Sequence, residues 1–322
     1  MKHNVVTVFG GTGFIGRYVV RALARQGAQV RVVCRRPEEA MRCKPMGDVG
    51  LIVPVAANIR NKDSVAAAIG NSDAVINLVG VIYKRGAQTF DTMHIHGPRT
   101  IADAASVAEV KRFVHMSAIG ADVNSASEYA RSKGLGERAV SDAFAGATVL
   151  RPSIVFGPED DFFNRFAALA RLTPVLPVIG STTKFQPVYV GDVAKAVSNC
   201  LLDDATAGFC FELGGPAVYT FRELMEIMLA EVGRKRLLVP IPFWAAAVKA
   251  LFLEHLRLPF FLPKPLLTRD QVRLLKYDNV VRPGASGVEK LGITPTPLYA
   301  VLPTYLNRYR RGKDVGRTSR AI

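Results

Sequence analysis

Short continuous apolar runs alternate with longer amphipathic ones along the first 150 residues. NVVTVF (4–9), QVRVVC (29–34), GLIVPV (50–55), DAVINLV (73–79), RFVHMS (112–117) and ATVLR (147–151) are mostly unbroken Val, Ile and Leu. Parallel strands buried on both faces require that texture. Between them FIGRYVVRALARQG (14–27), KDSVAAAIG (62–70), residues 89–106 and SEYARSKGLGERAVSDAF (127–144) place apolar positions at helical spacing. Regular alternation of the two predicts an α/β fold, a doubly wound parallel sheet of Rossmann type with right-handed crossovers.

After residue 151 the pattern changes. Prolines fall at Pro174, Pro177 and Pro187 and then densely from Pro240 to Pro265. FRELMEIMLAEVG (221–233) reads as a helix opened by Thr220 as N-cap and stopped by Gly233. The expected division is a Rossmann core over 1–150 and a smaller mixed region over 151–322, interleaved with the core and ending in a basic tail. VPIPFWAAAVKALFLEHLRLPFFLPKPLL (239–267) holds Trp244 and four phenylalanines, and its charges at Lys249, Glu254 and Arg257 are spread around a helical wheel. That spread argues against an amphipathic helix lying in a membrane. Three readings stay open: a surface for a partner protein or a lipid interface, a cover over the chain's own sheet, or the substrate cap of an enzyme.

Composition narrows the function classes. With 322 residues, 49% apolar and 21% charged, the chain is long enough to bury a sizeable core. Cys34, Cys43, Cys200 and Cys210 show no CxxC spacing, which fits reduced thiols. Of the net charge of +15, five units belong to RYRRGKDVGRTSR (308–320), a tail suited to solvent, an anionic lipid surface or an acidic partner. Basic-plus-aromatic modules for nucleic acid are missing. An apolar strand begins by residue 4 and no run of about 18 apolar residues follows. The expectation is a bacterial protein of the cytoplasmic side, or one already processed.

GGTGFIG comprises Gly10, Gly11, Thr12, Gly13, Phe14, Ile15 and Gly16, set directly between the first strand and the first helix. Glycines there allow a tight turn and let backbone N–H groups reach a pyrophosphate, which the positive end of the helix stabilises. The second strand then ends in Cys34-Arg35-Arg36 where an NAD binder shows an acidic residue. Arginines offer a positive fork to a 2′-phosphate, so NADP(H), and NADPH in particular, is the expected cofactor.

The glycine loop, the YxxxK spacing of Tyr129 and Lys133 in YARSK, and the order of elements together resemble the short-chain dehydrogenase/reductase superfamily, in its extended and atypical branches. The resemblance implies further cofactor contacts at Asn58, at Leu78, Val79 and Gly80, at Ser117, and at Pro152, Ser153 and Ile154 beside the nicotinamide. YARSKGLGERAV, RPSIVFGPEDDFFNRFA, FQPVYVGDVAKAV and LGITPTPL are similar, more closely, to the NAD(P)H-binding accessory subunits of respiratory complex I. That similarity implies tightly held NADPH, other subunits near the quinone-reaction module as partners, and a peripheral place on the cytoplasmic side of a bacterial inner membrane.

Whether YARSK is catalytic stays open at this point. In active members the tyrosine moves a proton, the lysine lowers its pKa and holds the ribose, and a Ser or Thr completes the site. Tyr129 and Lys133 lie one helical turn apart, but Ala118 and Ile119 follow Ser117 where such a hydroxyl is expected. Three readings result: a retained pocket without turnover, a working oxidoreductase using Ser117 or Ser153, or helix-surface residues. The corresponding functions are a structural or regulatory complex I subunit, or a free NADP-dependent reductase, epimerase or dehydratase on a small carbonyl or nucleotide-sugar substrate. His94 and His96, two residues apart on a helix, point different ways and build no metal site.

Overall fold

The structure, a computed structural model, describes residues 4–255 and 267–310. Along the first 152 residues run β1 (Val5–Phe9), α1 (Phe14–Arg25), β2 (Gln29–Cys34), α2 (Pro37–Met41), β3 (Ile52–Ala56), α3 (Lys62–Ile69), β4 (Ala74–Asn77), α4 (Gly97–Val107), β5 (Arg112–Met116), α5 (Glu128–Ala143) and β6 (Thr148–Pro152). There follow β7 (Val155–Phe156), α6 (Phe163–Leu172), β8 (Val175–Ile179), β9 (Lys184–Phe185), β10 (Val188–Tyr189), α7 (Val190–Leu202) and β11 (Cys210–Leu213). The remainder holds β12 (Tyr219–Thr220), α8 (Phe221–Glu231), β13 (Leu237–Ile241), α9 (Phe243–His255), α10 (Arg269–Leu274) and α11 (Leu298–Leu306). Two compact units share these elements: one takes residues 1–152, 190–213 and 281–294, the other 153–189, 214–280 and 295–322.

The first unit is built on a seven-stranded sheet of order β11-β6-β5-β4-β1-β2-β3, parallel at every pairing. Alternate strand residues serve opposite faces. Phe9, Val33, Val75 and Phe113 form one core with Ile69 of α3, Ile101 of α4 and Val140 of α5. Across the sheet, Val8 and Val32 meet Val20 of α1 around Gly11, and α1 packs against α7. The order reverses between β1 and β4, which puts the ligand crevice of an open α/β sheet at the carboxyl ends of those two strands.

The strand at one edge, β11, lies outside the sequence expectation, because CFEL carries a buried glutamate that the apolar pattern rejects. Glu212 stands in register with Arg151 of β6, 3.5 Å from its guanidinium, and takes a 2.7 Å ion pair from Arg282. Arg151 is bonded in turn to Glu137 of α5, Nε to Oε1 at 2.8 Å. Paired on both sides, the carboxylate is tolerated in the sheet.

In the second unit Phe156, Phe163, Leu176, Phe221, Met225, Met228 and Leu302 form a core of α6, α8, α11 and short strands. Helix α8 begins as expected: Thr220 accepts from the Glu223 N–H and the Glu223 carboxylate accepts from the Thr220 N–H, a complete capping box. Arg308 and Arg310, from the stretch read as a tail for solvent, an anionic lipid surface or an acidic partner, bond within the unit: exposed Arg308 to the Pro158 carbonyl at 3.0 Å and Arg310 to the Glu231 carboxylate at 2.6 Å. Residues 256–266 and 311–322, the rest of the apolar stretch and of the tail, lie outside the described residues.

Helix α5 approaches the turn before α4 through Gly136, where a Cβ would stand 1.9 Å from the His94 carbonyl oxygen. Backbone on both sides leaves nothing to rotate away. Gly136→Ala is therefore expected to lower unfolding free energy by about 3 kcal/mol or more in chemical denaturation, with Leu135→Ala on the exposed side within about 1 kcal/mol of wild type.

Candidate functional site

The loop after β1 is shaped by close approach. Gly10 takes φ +79°, and a Cβ on it would lie 3.1 Å from the Leu78 carbonyl carbon. A Cβ on Gly16 would lie 2.3 Å from the Gly10 oxygen and 2.7 Å from Gly11. The loop closes on itself through Gly13 N–H to Gly10 C=O at 3.0 Å, and α1 opens with Arg17 N–H to Gly13 C=O at 3.1 Å. No side chain caps α1 at Gly13, so its first N–H groups face the loop. The structure thus brings the glycine loop and the Leu78–Gly80 backbone together at the switch between β1 and β4.

Arg35 and Arg36 follow β2 and are both exposed; Arg36 makes only a 3.5 Å pair with Glu39 across solvent. Ala57 N–H donates to Cys34 C=O at 3.0 Å, which sets the start of the β3 loop beside the end of β2. Asn58 follows it, its Oδ1 accepting from the Arg60 N–H at 3.2 Å. Sequence reasoning brings these groups to one end of the crevice, and the strand order accounts for it.

At the other end, Ser127 caps α5 and starts the helix that carries Tyr129 and Lys133. Lys133 is only 5% exposed; its Nζ donates to the Met116 carbonyl at 3.0 Å and lies against the open face of Gly80. Burial pulls its pKa down to about 8, partly offset by Glu137. Tyr129 packs edge-on to His94 and to Phe90, with centroids 5.4 and 5.9 Å apart. Burial pushes its phenol up to about 12. Ser117, at the end of β5, is 4% exposed and its Oγ has no partner among the described residues.

His115 stands two residues before Ser117, on the same side of β5. Its Nδ1 accepts from Asn77 Nδ2 at 3.2 Å, leaving Nε2 as a buried donor without a partner among the described residues. Burial and the Lys133 charge hold it neutral, with a pKa down to about 3. Buried unmatched polar atoms beside a glycine cradle fit the ribose and nicotinamide end of a bound dinucleotide. His94, Ser132, Asn77 and His115 were not among the expected site residues: Ser132 lies inside YARSK but is not one of its spaced pair, the β4–β5 register sets Asn77 beside His115, and the turn after β4 brings in His94.

Of the nicotinamide-side segment, Pro152 ends β6 in the first unit and accepts from Ile119 N–H at 3.0 Å. Ser153 and Ile154 belong to the second unit. The Ser153 hydroxyl is engaged there, 2.8 Å from the Asn279 carbonyl and accepting from the Gln186 N–H at 3.3 Å. Of the two serines considered as a catalytic hydroxyl, Ser117 is the one without an internal partner.

A glycine loop at the switch of an open parallel sheet and a Tyr/Lys pair one helical turn apart mark a fold of the short-chain dehydrogenase/reductase type. The chain belongs to the NAD dependent epimerase/dehydratase family, whose model matches residues 6–209. Over 315 residues it is 38% identical to the mitochondrial NADH dehydrogenase (ubiquinone) 1 alpha subcomplex subunit 9 of Arabidopsis thaliana, covering 96% of this chain and 78% of that one. It is 34% identical over 307 residues to the mitochondrial NADH-ubiquinone oxidoreductase 40 kDa subunit of Neurospora crassa, covering 95% and 80%. In fold it resembles the NADPH-dependent quinone oxidoreductase of Escherichia coli solved with NADPH, with a TM-score of 0.73 over 94% of this chain and 99% of that one at 19% identity.

A lysine whose folded pKa lies below its ordinary 10.5 destabilises the fold wherever it must be charged. Stability is therefore lowest below about pH 8 and returns as pH rises towards 10.5. The unfolding free energy of wild type, relative to Lys133→Met, is expected to climb by about 2–3 kcal/mol between pH 7 and pH 10 in urea titrations. A flat difference would mean that Lys133 titrates as a solvated lysine.

Proposed function

We propose that this chain is a non-catalytic accessory subunit of a respiratory NADH:ubiquinone oxidoreductase, holding NADPH as a structural or regulatory group. The observation that carries the reading is a preserved cradle joined to an unfinished catalytic trio. Gly10, Gly13 and Gly16 keep the backbone open for a pyrophosphate, while Ala118 and Ile119 follow Ser117 and give a substrate carbonyl nothing polar. Burial pushes the Tyr129 phenol up, and Lys133 Nζ donates to the Met116 carbonyl. Residues that position a ribose are retained; the tuning a proton donor requires is not. Subunits of complex I among the relatives, similar over nearly the whole chain, support the same reading.

Arg35 and Arg36 support NADPH over NADH. Exposed and paired with no buried acid, they are free to fork a 2′-phosphate. The second unit supplies surface for partners. Val175 and Leu237 stand exposed in register on β8 and β13, and Trp244 and Val248 are exposed one turn apart on α9. Apolar groups arranged so suit the subunits around the quinone-reaction module, with a lipid surface alongside. Among the described residues no helix is long and apolar enough to cross a membrane. Attachment would be peripheral, on the cytoplasmic side of a bacterial inner membrane.

Native membranes extracted with a mild detergent and resolved by gel filtration test the assignment. The chain and NADPH fluorescence are expected in the fractions of a very large NADH-oxidising assembly. Elution as a free species of tens of kilodaltons would overturn it. For the nucleotide, Arg35→Ala with Arg36→Ala should weaken NADPH by about tenfold to a hundredfold and leave NADH nearly unchanged, read by fluorescence titration.

A further inference from the structure

Between β4 and α4 the chain makes a π-helical turn, Asp91–His96, running directly into α4. The wider turn carries His94 inward to 1% exposure while His96 stays exposed. Both nitrogens of His94 are bonded. Val81 N–H donates to Nε2 at 3.0 Å, so the ring proton sits on Nδ1, which donates to Ser132 Oγ at 2.8 Å. The Ser132 hydroxyl donates in turn to the Tyr129 carbonyl at 2.7 Å. Phe90 stacks on one face of the ring at 5.5 Å and Tyr129 meets it edge-on. Burial and the nearby Lys133 charge hold the imidazole neutral, down to about 2, which is the form able to donate at one end and accept at the other.

One ring therefore ties the backbone beyond β4 to the turn of α5 that presents Tyr129 and Lys133. The link is local. Leu78 N–H is held by the Phe9 carbonyl at 2.9 Å and Val79 N–H by Asn77 Oδ1 at 3.1 Å, neither through His94. Val81 is bonded to the ring, and its neighbour Gly80 lies against both the ring and Lys133 Nζ.

We infer that His94 is a positioning residue for the nicotinamide end of the dinucleotide pocket, clamping Gly80–Val81 to α5 so that Lys133 meets the ribose at a fixed place. The inference rests on the nucleotide-binding reading of the site. Loss of the clamp releases the nicotinamide end alone, because the glycine loop and Arg35–Arg36 are built from other contacts.

The full-length chain, as wild type, His94→Ala, His94→Gln and Ser132→Ala, is titrated with NADPH and with 2′,5′-ADP, which carries the adenosine and 2′-phosphate but no nicotinamide. His94→Ala should weaken NADPH by about tenfold, the equivalent of one charge-free hydrogen-bonded contact, while 2′,5′-ADP stays within about twofold. His94→Gln, whose Oε1 reaches the place of Nε2, should restore most of the NADPH affinity. Ser132→Ala should weaken NADPH in the same selective way and serves where His94→Ala fails to fold. Equal NADPH affinity in wild type and both clamp variants overturns the inference. So does parallel loss of both ligands with a falling Tm, which marks a general folding role. A folded wild type that takes up neither ligand overturns the pocket reading itself.

Discussion

A helix start pressed onto a strand end with no Cβ between them governs the first unit. Gly16 brings α1 so near the Gly10 oxygen that any larger residue would force the two apart, and Gly10, at positive φ, lets the backbone after β4 close in from the other side. The crevice at the switch between β1 and β4 is thereby lined with main chain. The N-terminus of α1 opens on it, and a pyrophosphate is the group such a surface stabilises. Everything farther along the crevice is placed by this contact: Leu78 fixes where Val79 and Gly80 run, and Gly80 fixes what Lys133 faces.

Six of the seven sheet strands are legible in the sequence to within two residues at either end, because strands buried on both faces must be apolar throughout. Helix α8 is equally legible, since its capping box is written in Thr220 and Glu223. The failures have physical causes. β11 hides a carboxylate whose partners, Arg151 and Arg282, stand far away in sequence, and no local pattern announces such a pair. β8 and β13, VLPVI and LLVPI, each contain a proline that speaks against a strand. Their register resolves the conflict. Leu237 N–H donates to Pro174, so alternate residues of β13 turn towards β8 and Pro240 falls at an outward position, as Pro177 does on β8. The prolines cost no ladder bond and remove the outward donors that would recruit another strand.

At the site, the glycine loop and YARSK are visible because each is one continuous stretch with a required spacing. The bond between His94 and Ser132 is not, since it comes from a π turn and a packing distance that periodicity does not encode. The same limit applies to Ser153. As sequence it is a hydroxyl in a family segment; in the structure that hydroxyl is already bonded to Asn279.

The proposed function asks different things of the Tyr/Lys pair than turnover would. A working proton donor needs its pKa drawn towards the operating pH, and a lysine achieves this only by standing charged near the phenol. Here burial acts on both groups in the unhelpful direction: it raises the tyrosine to about 12 and weakens the charged form of the lysine, to about 8. Neither shift harms binding. A lysine that is still largely protonated at neutral pH, fixed by the Met116 carbonyl and facing Gly80, remains a donor for a ribose hydroxyl. On the proposed reading, a phenol edge-on to two rings would still serve as a wall for the nicotinamide. Holding a nucleotide, on that same reading, calls for both residues, whereas hydride chemistry would also call for a polar group where Ala118 and Ile119 follow Ser117.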